Sequence, residues 1–193
     1  MANKLYMYTT NKIPTVVGGE GFKNVDAKAI YEYPLTSTVV SDILTGAKFI
    51  KQAPSLLWNE TTVAVSDFNE GLKLLIATLP TLVQMMKGSG LPIDQRTLQN
   101  MQMVLNRQKG KFILTEFSEL ASMKNAKPKK VNKLNVIMTK ESVKFALNVK
   151  KAINQRKDKT RMQDFIKVLE KFKKMNNKDM GLFGFTTSTN YGP

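Results

Sequence analysis

Cysteine and histidine are both absent from the 193 residues. Without cysteine there is no disulfide, thiolate nucleophile, zinc finger or iron–sulfur ligand. Without histidine the commonest general base is gone, and with it every Ser-His-Asp or Cys-His arrangement and most transition-metal sites. Carboxylates number only 15, and no two of them stand at a spacing recognisable as an acid–base pair. No stretch approaches the ~18 consecutive apolar residues of a membrane span. The start, MANKLYMYTT, lacks the apolar core and small-residue cleavage site of a signal peptide. These absences set the expectations: no enzyme, no cofactor, no metal site and no membrane partner, in a soluble protein of the cytoplasm or of a particle assembled there.

What is present is enough apolar material for a core, at 42% hydrophobic residues, in a chain sized for one domain with an appendage. Its 30 basic side chains against 15 acidic ones give a net charge of +15. The excess is localised. Residues 1–120 carry a net +2, residues 121–178 a net +14, and residues 179–193 only Asp179. Such a segment attracts polyanions, whether nucleic acid, an acidic protein face or a charged surface. Lysine far outnumbers arginine, so a solvated lysine-rich surface is the bland alternative. Only Arg96, Arg107, Arg156 and Arg161 are arginines, which argues against base-specific DNA reading.

Short apolar runs at 5–9, 13–17, 27–33, 48–50 and 111–117 read as strands, and Val39, Val40 and Ile43 give 38–44 β-branched character. Residues 61–66 alternate, with Thr62, Ala64 and Ser66 on one face and Thr61, Val63 and Val65 on the other, the pattern of a half-buried strand. The period then changes to three and four from Leu72 to Met86, with Asp67 and Glu70 at a capping-box spacing and Pro80 as a kink or split. A second helix carries Leu98, Met101, Val104 and Leu105. Residues 131–138 and 143–149 read as two strands of a hairpin joined at 139–142, and Thr160 caps a helix over 161–176. The order predicts an α+β fold with an antiparallel β-barrel or sandwich. Its parts are a β-rich core domain at 1–153 with a helical insert at about 67–108, a basic amphipathic helix at 154–178, and a glycine/aromatic arm at 179–193.

Two segments are the expected partner-binding surfaces. The helix over 161–176 has an apolar stripe of Phe165, Ile166, Leu169 and Phe172 opposite Lys167, Lys171, Lys173 and Lys174; it either lies on a polyanion or docks its stripe on protein. In the uncharged arm, Leu182, Phe183, Phe185 and Tyr191 have little to pack on locally. They anchor on another subunit or fold back on their own domain. Trp58 reads as a core or hairpin aromatic. Asp42, Glu60, Asp67 and Glu70 lack a cation-loop pattern, so capping and surface roles are expected of them.

Three pieces in sequence order carry a resemblance. They are Tyr33-Pro34-Leu35 with Val40-Ser41-Asp42 and Thr61–Asp67, then Lys109-Gly110-Lys111-Phe112-Ile113-Leu114, then Val131–Met138 with Val143–Ile153. Over residues 25–153 the chain resembles the distal-tail-like, tail-tube-related baseplate proteins of tailed bacteriophages. The resemblance implies a tail-tube type of barrel with a packed helix and no active site. It implies a structural virion protein, assembled in the host cytoplasm as a ring of its own copies that joins tail tube and baseplate and touches neighbouring tail or baseplate proteins. The alternative reading is a non-specific nucleic-acid-binding accessory protein acting through the lysine-rich segment 121–178.

Overall fold

The computed structural model describes residues 4–16, 25–34, 38–88, 95–119 and 127–154. The expected helix over 161–176 and the arm at 179–193 lie outside them. The described strands are β1 (Lys4–Thr10), β2 (Lys28–Pro34), β3 (Phe49–Pro54), β4 (Thr62–Asp67) and β5 (Phe112–Glu116). The described helices are α1 (Val39–Gly46), α2 (Phe68–Gly88), α3 (Gln95–Asn106) and α4 (Pro128–Asn154). All strand pairs are antiparallel, in the order β2-β1-β5-β4-β3, so the sheet is open with β2 and β3 at its edges. The fold is α+β.

Side-chain alternation along the strands builds two cores. Leu5 and Met7 of β1, Ala64 of β4 and Ile113 of β5 meet the helices in the larger core. Tyr8, Val63, Val65 and Leu114 point to the opposite face, where Val25, Ala53 and Leu56 cover them. Residues 61–66 place their side chains as the alternation predicts, but β4 is buried on both faces because it is flanked by β5 and β3 and covered above and below.

Helix α1 sits at the centre, with all eight residues buried. Its start is fixed by Thr38, whose side chain accepts from the Ser41 N–H while the Ser41 hydroxyl accepts from the Thr38 N–H at 2.7 Å. This capping box turns the β-branched run 38–44 into a helix despite the strand preference of valine and isoleucine. At the other end the Lys150 ammonium donates to the Ala47 carbonyl at 2.5 Å, a cation at a helix C-terminus. Asp67 caps α2 by accepting from the Glu70 N–H at 3.1 Å. Desolvation raises the Asp67 carboxyl, but the Glu70 N–H, Lys48 and the Asn69 N–H more than offset it and hold it below its ordinary value. Pro80 lies inside α2 without ending it.

The expected hairpin over 131–149 is instead one 27-residue helix, α4. The alternation of Val143, Phe145, Leu147 and Val149 fits a strand only if polar residues face out. Here Val131, Asn135, Thr139, Ser142, Phe145, Ala146 and Val149 form the buried stripe, at helical spacing. Thr139 makes this possible by donating back to the Asn135 carbonyl (2.7 Å), and Ser142 by sharing its one hydrogen between Asp42 (2.7 Å) and the Met138 carbonyl (3.1 Å). Pro128 suits the first turn, where its missing N–H costs nothing. Residues 13–16 are described and form no strand.

Candidate functional site

Strand β3 and helix α4 meet at the open edge of the sheet and leave a groove between them. A bulge at Ile50 shifts the β3–β4 register, so that Phe49 pairs with Ser66 and Gln52 with Ala64. Both partners face the helices, so Phe49 and Gln52 are brought to the α4 side although they are three residues apart. The Gln52 amide donates to Thr139 Oγ1 at 3.0 Å and ties the strand to the helix at the groove floor. Above this tie lies a cavity of about 670 Å³ lined by Phe49, Val136, Val143 and Leu147 and by Lys51, Lys140, Lys144 and Lys151. Among the described residues no acidic side chain lines it.

The lining positions on α4 recur at three and four from Val136 to Lys151, so one continuous helix face looks into the groove. Leu147 is 50% exposed and Phe49 36% exposed. Lys133, seven residues before Lys140, falls on the same face, and Glu141 lies at its margin. The four lining lysines form no ion pair with any described residue. The arrangement is an apolar floor with a cationic rim. It offers contact area and positive charge, and it brings no acid–base pair together.

The inner side of α4 leads to a second polar site. Asn135 donates to the Thr62 carbonyl (2.9 Å) and to Ser118 Oγ (3.1 Å), and Ser118 donates to Thr61 Oγ1 (3.1 Å). The Ser118 N–H donates to Glu116 at 3.2 Å, and Ser55 Oγ donates to the other Glu116 oxygen. Glu116 is fully buried with no cation among its described partners. Burial pushes its carboxyl up to about 7, against the pull of the Ser118 and Ser55 donors. On the same sheet face, burial and the Glu116 charge push the Tyr8 hydroxyl well above its ordinary value. Glu116 was not singled out by sequence; its one signal is a carboxylate inside the apolar strand Phe112–Phe117.

The partner-binding residues expected from sequence, Lys167, Lys171, Lys174, Leu182, Phe183, Phe185 and Tyr191, all lie outside the described residues. Trp58 sits in the β3–β4 connection and is largely exposed, so it is a hairpin aromatic and not a core one. Asp67 caps α2 and Glu70 pairs with Lys73 at 3.0 Å, as their spacing suggests. Asp42 departs from the expected surface role: it is buried and accepts from the Ser142 hydroxyl at 2.7 Å. Among the described residues no cluster of three or more His, Cys, Asp or Glu is placed to hold a metal ion, and no helix is long and apolar enough to cross a membrane. No protein-family model, no curated protein and no solved structure matches the chain.

Proposed function

We propose that this protein is a structural assembly protein that works by docking, with the α4–β3 groove as a principal contact surface. The observation that carries the reading is the apolar floor of Phe49, Val136, Val143 and Leu147 at an open sheet edge, with Phe49 and Leu147 exposed and the two valines half-buried. Apolar surface of this kind, rimmed by charge, marks interaction sites on soluble proteins. The resemblance supplies the setting through its first two pieces, since the third, read as a hairpin, is the helix α4: a ring of copies where tail tube meets baseplate in a phage virion. In that setting β2 is the sheet edge at which copies meet, and the α4–β3 groove faces a neighbouring tail or baseplate protein. Size-exclusion with light scattering, followed by negative-stain imaging, tests it. Rings or higher oligomers, or complexes with other tail proteins that are lost in Leu147→Asp, are expected. A strict monomer at high concentration that binds no other tail protein overturns it.

The row Lys133, Lys140, Lys144 and Lys151 favours a second reading, non-specific nucleic-acid binding through segment 121–178. It requires retardation of DNA or RNA at low salt that falls steeply as salt rises.

A further inference from the structure

We infer that the α4–β3 groove takes an acidic amphipathic helix of a partner protein, lying along α4 with its apolar side on the groove floor. This rests on the docking reading and adds the chemistry of the occupant.

Shape comes first. The lining runs along α4 from Val136 to Lys151, which at ~1.5 Å per residue is about 22 Å, the length of a helix of roughly 15 residues. A helix laid in a groove is read through anchors at three- and four-residue spacing, and Val136, Val143 and Leu147 present the matching spacing. An added β-strand fits poorly. The outer edge of β3 is interrupted by the bulge at Ile50, carries Lys51 and ends in Pro54, all features that block strand pairing.

Charge selects among helices. Lys51, Lys140, Lys144 and Lys151 rim the groove and no acid among the described residues lines it, so the occupant carries carboxylates at its margins. A second copy presenting its own α4 would set lysine against lysine. The chain's own expected helix over 161–176 carries Lys167, Lys171, Lys173 and Lys174 and meets the same repulsion. Nucleic acid satisfies the rim but leaves Phe49, Val136, Val143 and Leu147 against phosphate and sugar. An acidic helix with a leucine stripe satisfies both.

The test uses the full chain and a fluorescent synthetic peptide of about 16 residues, helical, with leucines at three- and four-residue spacing flanked by glutamates. Fluorescence anisotropy is read at low and moderate salt. Controls are the peptide with serine for leucine, the peptide with lysine for glutamate, and oligo(dT) of about 20 nucleotides. The inference predicts that only the acidic leucine peptide binds well. It predicts a weakening of about 10-fold in Leu147→Asp and again in Lys140→Glu/Lys144→Glu, with unchanged circular dichroism because these side chains are exposed. Equal binding of the serine peptide overturns it, because the floor is then unused. Tighter binding of oligo(dT) that is lost in the lysine variants assigns the face to nucleic acid and overturns it too. Light scattering on the same samples separates the two failures. A protein that self-associates through Leu147 but ignores the acidic peptide keeps the docking reading and refutes this occupant. A monomer that binds neither refutes both.

Discussion

The two sides of α4 differ in what covers them more than in polarity. The inner side buries Asn135, Thr139 and Ser142 among Val131, Phe145, Ala146 and Val149, while the outer side, beside its lysines, leaves Val136 and Val143 half-buried and Leu147 exposed. The polar groups of the inner side are held by hydrogen bonds, Ser142 to Asp42, Thr139 with Gln52 and its own helix, and the Asn135 amide NH2 to Thr62 and Ser118, while Asn135 Oδ1 and Gln52 Oε1 are buried with no hydrogen-bond partner among the described residues. Small side chains there also let the helices close up. A Cβ on Gly46 of α1 would collide with the Ser142 carbonyl. Hydrophobicity alone does not decide which face of a helix is covered; the shape and bonding of the neighbour do. The apolar residues of the outer face are then surplus to the fold, and that surplus is the basis of the proposed docking role.

The contrast is broken most severely at the helix crossing. Gly46→Ala forces α1 and α4 apart and is expected to cost about 3 kcal/mol, read as a lower urea midpoint at unchanged slope.

The inner network sharpens it next. Glu116 has its folded pKa raised to about 7 from 4.5, so the native state holds a proton that the unfolded chain has released between those values. Stability therefore falls as pH rises through that window and levels off above it. Glu116→Gln keeps the acceptor for the Ser118 N–H and removes the charge. It should raise stability at pH 8 by about 2 kcal/mol and change little at pH 4, seen in denaturation series at the two pH values. Ser142→Ala removes a donor from buried Asp42 and should cost about 1.5 kcal/mol.

The smallest effect belongs to the outer face. Leu147→Asp should change the urea midpoint by no more than about 0.5 kcal/mol equivalent, because the side chain is half exposed and surplus to the core. A large loss there would mean that the outer face serves the fold itself.

Sequence reading was strongest where pattern and cap agreed. The alternation of 61–66 and the Asp67–Glu70 spacing are local signals: the structure has the strand, buried on both faces where the pattern suggests one, and the Glu70 N–H donating to Asp67. The alternation over 131–149 misleads because the helical stripe that is buried runs through the polar Asn135, Thr139 and Ser142 as well as Val131, Phe145, Ala146 and Val149, and the burial of the polar three depends on partners far away in the chain. The strand character of 38–44 yielded to a capping box that polar residues encode. The groove was not legible, because it joins 49–52 to 136–151 and exists only once the sheet edge and α4 are brought together.

Chemical-shift mapping of the methyl groups on titration with the acidic leucine peptide tests the central claim most directly. The account predicts saturating shifts at Val136, Val143 and Leu147, with core methyls such as Leu75 and Ile113 unmoved. Shifts confined to other surfaces, or none at all, would contradict it.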